Sequence, residues 1–346
     1  MERVLNKLMA FGRHQSGPSE PEVDAPRPEA ADSSADLGIT DPRLPPIIVS
    51  QSVFDSPGYQ PLDIYRPSLP DAPASPAPAS PAPASPVIVS CPHAGRIYPA
   101  DLTSSIIQPV DALRGLEDFG VDYLWSNLPE DGISCVVNRI ARGYLDVNRA
   151  ATSLDKSMFD APISVPAADQ HVRAGYGLWP RLTATRQPIY DTKLAVSQID
   201  RRINAVHTPY HDALGRLMNA AHDQFSFALL VDFHSMPAVD RLNNRLPDII
   251  CGDAFGVTLD RNLATAITGF LKKSGLSVGW NTPYAGGYIT RSYGDARSSR
   301  QSVQIEINRA LYMDGNAQMD PVRSAALADQ ITDLARHLAE YVRAVS

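Results

Sequence analysis

The sequence predicts an α/β domain built on parallel strands, on three observations. Phe227-Ala228-Leu229-Leu230-Val231 and Val87-Ile88-Val89-Ser90 are continuous apolar runs rather than alternating ones, the pattern of strands buried on both faces. Stretches with helical spacing of apolar residues follow them: Leu113 to Leu128, Ile189 to Ala221, Asp260 to Ser274 and residues 322–344. Polar residues able to do chemistry stand where the strands should stop: Asp232, His234 and Ser235 after one run, His93 after the other. In open α/β sheets ligands gather beyond the carboxyl ends of strands.

Composition narrows the function. The chain has 346 residues, 44% of them hydrophobic, enough for one large domain or two small ones. A net charge of -7 and a pI of about 5.6 argue against a nucleic-acid or membrane-surface binder, which needs a basic stripe. Cys91, Cys135 and Cys251 are widely spaced and form no disulfide framework, so a reducing, cytoplasmic setting is expected. No apolar run approaches about 18 residues, so no membrane span is expected. Met1 to Phe11 lacks the apolar core and small-residue cleavage site of a secretory signal.

Taken in order, residues 1–12 could form a short amphipathic helix, with Val4, Leu5, Leu8, Met9 and Phe11 apolar. Ser16 to Asp36 has too few apolar groups to bury anything. Ile47, Ile48, Val49, Val53 and Tyr65 suggest a strand or an arm at 40–70 packed on the domain. Asp71 to Pro86 repeats Pro-Ala-Pro-Ala-Ser-Pro, a solvated, extended segment that could dock a protein partner. Residues 1–86 therefore read as an N-terminal extension and 87–346 as the catalytic domain.

Within that domain Cys91-Pro92-His93-Ala94-Gly95-Arg96 follows the first buried strand. The Leu113–Leu128 helix would put Asp118 and Asp122 one turn apart, and a cation near them would remove their repulsion. Ser134 to Arg139 is a third strand. Arg142 to Arg149 then packs two arginines, Asp146 and Asn148 into eight residues, a set suited to gripping a carboxylate. Residues 151–181 read as a functional or disordered loop. Pro209 must kink the Ile189–Ala221 helix, which spoils His207 and His211 as a metal pair and leaves His211 as a substrate or supporting group. Pro247 to Asp253 and Ser277 to Asn281 are further strands. Gly286-Gly287 reads as a hinge before a polar-tipped edge, where Tyr288, Thr290 and Arg291 could hydrogen-bond a ligand. The last strand, Ser302 to Asn308, carries Glu306 between Ile305 and Ile307, costly unless paired, near a metal or facing a cleft.

Two strand-end histidines, helix carboxylates and a strand glutamate make a mononuclear metal hydrolase plausible. Two His and one carboxylate leave a fourth position for water, the pattern of catalytic zinc. No Gly-x-Ser-x-Gly elbow, Walker A loop or Gly-x-Gly-x-x-Gly turn supports serine or nucleotide chemistry.

Ser90 to Gly95, Asp118-x-x-x-Asp122, Arg142 to Arg149, Pro209-Tyr210-His211, Asp232 to Ser235, Gly287 to Arg291 and Glu306-Ile307-Asn308 together resemble the N-formylglutamate amidohydrolase family over about residues 87–345. That family is similar, distantly, to zinc carboxypeptidases and aspartoacylases. The resemblance implies a three-layer αβα fold with a mixed, mostly parallel sheet. It also implies zinc-dependent hydrolysis of N-formyl-L-glutamate, a small N-acyl amino acid, to formate and L-glutamate in histidine breakdown. His93 and His234 would be ligands, Asn148-Arg149 would hold the substrate carboxylate, and Glu306 would be the general base. Where the distant relatives carry a glutamate three residues after the first histidine, this chain has Arg96. The third ligand must then come from elsewhere, and Asp118 is chosen over Asp122. Another N-acyl amino acid, a cell-wall peptide, or an inactive binding module remain as other readings.

Overall fold

The computed structural model describes residues 47–49, 60–65, 83–315 and 318–345. All of them fall in one compact unit, Ile39–Ser346. The expectations for residues 1–12, for Ser16 to Asp36 and for the Pro-Ala-Ser repeat up to residue 82 lie outside the described residues.

The strands are β1 (Ile47–Val49), β2 (Leu62–Tyr65), β3 (Val87–Cys91), β4 (Ile97–Pro99), β5 (Ser134–Asn138), β6 (Ala228–Met236), β7 (Ile249–Gly252), β8 (Val278–Trp280) and β9 (Arg300–Asn308). Seven of them form one sheet in the order β2-β5-β3-β6-β9-β7-β8, and β1 pairs separately with β4. Strands β5, β3, β6 and β9 run parallel, as do β7 and β8; β2 and β7 lie antiparallel to their neighbours β5 and β9. The sheet is therefore mixed and mostly parallel. It draws its edge strand β2 from ahead of the Pro-Ala-Ser segment.

Helices cover both faces. Leu229, Val231 and Phe233 of β6, with Val303, Ile305 and Ile307 of β9, share a core with α1 (Val121–Leu124), α3 (Arg261–Lys273) and α5 (Pro321–Val345). Ala228 and Leu230 face the other way, into a second core filled by α2 (Thr208–Phe225). Every residue of β3, β5 and β6 is buried, which is why these segments read as continuous apolar runs. The period of two carries the second face on from Ala228 and Leu230 to Asp232 and His234. Burying a Leu or Val there would stabilise by about 1.5–3 kcal/mol each. The upper half of that face gives up this stabilisation for polar groups.

Four expectations change. Strand β6 runs on through Met236, so Asp232, His234 and Ser235 lie inside it rather than past its end. Leu113–Leu128 is not one helix: short turns at Val110–Leu113 and Arg114–Leu116 end at an extended Glu117. Gly120 then adopts φ +75, and an added Cβ would meet the Met319 sulfur at 2.5 Å. Asp118 and Asp122 thus sit on different elements, and their helical spacing has no meaning. Gly287 opens α4 (Tyr288–Tyr293), a short helix where a polar-tipped edge was expected. In the Pro209 region helix Gln198–Arg202 passes through a π-turn, Ile203–His207, into α2, whose first turn holds the proline where a missing N–H costs nothing.

Candidate metal centre and active site

The site forms above β3, β6 and β9, the parallel middle of the sheet. His93 follows β3 on the Pro92–Arg96 loop, and His234 lies in β6 beside it. Their ring centroids are 4.8 Å apart. Asp118 arrives from the broken 113–128 segment, its backbone N–H donating to His93 O at 2.9 Å. Asp118 Oδ2 lies 3.0 Å from His234 Nδ1 and 3.4 Å from His93 Nδ1. All three residues are buried, and one ligand atom from each lies within 4.8 Å of the others, so the group could hold a metal ion.

The far side of each imidazole decides which nitrogen is free. His93 Nε2 meets Asp146 Oδ1 at 2.7 Å, and His234 Nε2 meets Asp232 Oδ2 at 2.9 Å. A carboxylate accepts a hydrogen bond from Nε2–H, which fixes that tautomer and leaves Nδ1 with its lone pair. His93 Nδ1 is buried with no hydrogen-bond partner. Two imidazole lone pairs and a carboxylate therefore face one point, an arrangement that only a cation relieves. Without a metal, a proton does so. Burial opposes charge on His234, but Asp232 and Asp118 outweigh it and push its pKa well up. Burial likewise opposes ionisation of Asp118, yet His234 and His93 hold its carboxyl well below the usual range. The donor set fits a divalent ion such as zinc.

Both supporting carboxylates are fully buried. Asp232 also accepts from Ser90 Oγ at 2.7 Å, and that hydroxyl meets Tyr210 OH at 2.8 Å. Asp146 accepts from Asn148 N at 2.9 Å and Arg142 Nε at 2.8 Å, with Arg149 Nη2 3.8 Å away. The sequence set Asp146 between Arg142 and Arg149 but gave no sign that it also orients His93. The Asp232–His234 pair follows from β6 running on through Met236, since residues two apart on a strand share a face. Asp122, the other aspartate considered, pairs with Arg96 at 2.9 Å, both side chains buried.

Glu306 lies in β9 directly opposite His234 of β6. Gln304 Nε2 donates to its Oε1 at 2.7 Å. Burial pushes its pKa from 4.5 up to about 7, although the positive charge on His234 pulls the other way. A carboxyl near neutrality can both take and return a proton.

Asn148 is held at its side-chain oxygen and through the carbonyls of its two neighbours. Its Oδ1 accepts from Ile289 N at 2.8 Å, and its Nδ2 lies 3.2 Å from His234 Nε2. Gly287 permits the close approach, because a Cβ there would stand 2.5 Å from that Nδ2. Arg149 donates to Tyr176 O at 2.9 Å and Asn148 O at 2.7 Å. His207 Nε2 binds Arg149 O at 2.9 Å and His211 Nε2 binds Val147 O at 2.8 Å, so the two rings grip the carbonyls on either side of Asn148. His211 Nδ1 meets Tyr293 OH at 3.0 Å, so both of its ring nitrogens are engaged by the protein. Burial pushes the His211 pKa down to about 4, keeping the ring neutral. The sequence offered His211 as a substrate or supporting group, and its hydrogen bonds are those of a backbone clamp. Tyr288 is half-buried against His207 and His211. Arg291 is exposed on α4.

A mixed α/β sheet with a histidine–carboxylate cluster and a buried glutamate at its strand ends is the frame of an amidohydrolase. The family model described as N-formylglutamate amidohydrolase matches residues 85–313. The chain belongs to that family. It is 29% identical over 260 residues to the N-formylglutamate deformylase of Pseudomonas aeruginosa, covering 73% of this chain and 91% of the relative. The N-formylglutamate deformylase of Pseudomonas putida is 28% identical over 235 residues, covering 66% of this chain and 82% of the relative. A crystal structure of N-formylglutamate amidohydrolase from Ralstonia eutropha JMP134 superposes with a TM-score of 0.74 at 32% identity, covering 83% of this chain and 100% of that one. No described helix is long and apolar enough to cross a membrane.

Proposed function

We propose that this protein hydrolyses N-formyl-L-glutamate to formate and L-glutamate, in histidine breakdown in the cytoplasm, with one zinc ion held by His93, Asp118 and His234. The observation that carries the reading is the buried meeting of two imidazole Nδ1 atoms and Asp118 Oδ2, with Glu306 opposite His234. The names of the relatives supply the substrate.

Bound zinc supplies electrostatic activation of the formyl carbonyl and of a water molecule. The rest falls to the chain. Glu306 Oε1 is occupied by Gln304, which leaves Oε2 to take the proton of the attacking water and hand it to the leaving amide nitrogen. Arg142 and Arg149 share the single carboxylate of Asp146, which His93 also uses, so this corner of the site sets two guanidinium groups against one carboxylate and suits an anionic substrate group. Asn148 and Arg149 hold a substrate carboxylate, with Tyr288 beside them and Arg291 at the rim. The cluster is nearly sealed, with His93 and His234 each 3% and Glu306 6% exposed, which favours a small acyl group such as formyl.

The test is formate release from N-formylglutamate by metal-depleted protein before and after addition of zinc. Zinc-dependent formate release supports the reading. Cleavage of N-acetyl or peptide substrates in its place, or activity indifferent to metal removal, defeats it.

A further inference from the structure

We propose that Arg309 and Ser235 form a latch that fixes the Asp118 carboxylate with Oδ2 toward the two histidines. The inference rests on the reading of that cluster as a metal centre and deepens it. His93 and His234 are each fixed by a carboxylate behind the ring. Asp118 has no such strand or helix to hold it: it stands between an extended Glu117 and a left-handed Gly120. A ligand on irregular backbone needs an external brace if its two oxygens are not to exchange roles.

The brace comes from the strands that carry His234 and Glu306. Arg309, the residue after β9, donates from Nε to Ser235 Oγ at 2.9 Å and from Nη2 to Glu117 O at 2.6 Å. The same Nη2 lies 3.5 Å from Asp118 Oδ1, and Ser235 Oγ, next to His234 in β6, donates to that oxygen at 3.4 Å. Both donors converge on Oδ1, which leaves Oδ2 for the histidine Nδ1 atoms. The planar guanidinium reaches a hydroxyl from Nε and a backbone carbonyl and a carboxylate from Nη2, a spread over two nitrogens that the single nitrogen of a lysine does not match. Arg309 therefore ties the Asp118 loop to the ends of β6 and β9 and acts as a positioning residue.

The test is the zinc dissociation constant, read by competition against a chromogenic chelator, for wild type, Arg309→Ala, Arg309→Lys and Ser235→Ala. Circular dichroism checks that each variant folds. Loss of a partner behind a metal ligand typically costs about tenfold to a hundredfold in affinity. Arg309→Ala is expected in that range and Arg309→Lys to recover only part of the loss. Ser235→Ala, the milder change should Arg309→Ala fail to fold, is expected to lose several-fold. Excess zinc should restore turnover in each. Variants that fold and keep wild-type zinc affinity while KM rises overturn the latch and leave the metal centre standing. A wild type that binds no zinc overturns both.

Discussion

His234 and Glu306 stand opposite each other on adjacent parallel strands, in the register that also sets Asp232 beside Gln304. Strand pairing thus delivers a candidate metal ligand and a candidate proton carrier to one face, with their supporting residues one step behind them. Because the register fixes both, removing Glu306 alone separates proton transfer from metal binding.

Glu306→Gln is expected to keep the metal and lose turnover. The amide preserves the shape and the neutral form but cannot accept a proton, and loss of a general base costs about 10²–10⁴ in rate. Formate release and zinc stoichiometry on the same preparation check this. His234→Ala is expected to lose both.

The pH profile should carry the same residue. Glu306 works as a base when ionised, so kcat/KM falls as pH falls through its pKa. Burial sets that pKa at about 7 in the metal-free protein, against 4.5 for the ordinary group. A bound cation pulls it down, so the acid limb belongs between those values. The stability sign is opposite to that of a paired carboxylate. The native metal-free protein keeps a proton that the unfolded chain releases, so this contribution is complete below 4.5 and is lost as pH rises through about 7. Glu306→Gln should flatten that loss in thermal unfolding of metal-free protein.

Asp146→Asn should weaken zinc binding about tenfold to a hundredfold, because the carboxylate that sets the His93 tautomer is gone. Arg142 and Arg149 also lose their shared counterion, so KM should change as well. Isothermal titration with zinc, beside steady-state kinetics in excess zinc, separates the two effects.

Arg149→Ala should raise KM for N-formylglutamate more than for its α-amide, measured side by side. An equal loss on both would mean that the guanidinium matters for Tyr176 O and Asn148 O, which it already binds, rather than for substrate.

Gly287→Ala tests the close approach at Asn148. The new methyl would fall 2.5 Å from Nδ2 and 2.6 Å from Oδ1, so the amide must move. Overpacking of this kind costs about 1–3 kcal/mol, visible as a lowered melting temperature together with reduced kcat/KM.

The sheet was legible in the sequence because β3 and the first half of β6 are buried on both faces and read as unbroken apolar runs, while β9 alternates Val303, Ile305 and Ile307 with polar residues. The oddity of Glu306 among isoleucines was legible because burying a carboxylate is costly. The path of the chain through Asp118 was not. Residues 113–128 have helical spacing, yet Gly120 at positive φ and the Asp118 N–H to His93 O bond override it. Asp146 behind His93 and Arg309 behind Asp118 were hidden for another reason. They meet their partners across 53 and 191 residues of chain, and no local pattern marks contacts at that range. His207 and His211 read as a metal pair spoiled by Pro209, and their role as a clamp was hidden because the carbonyls they hold lie 58 and 64 residues away.

The most direct test is anomalous diffraction at the zinc edge from crystals grown with zinc. The account predicts one peak about 2.0–2.2 Å from His93 Nδ1, Asp118 Oδ2 and His234 Nδ1. An empty cluster in zinc-saturated, formate-releasing protein, or a peak elsewhere in the chain, would contradict it.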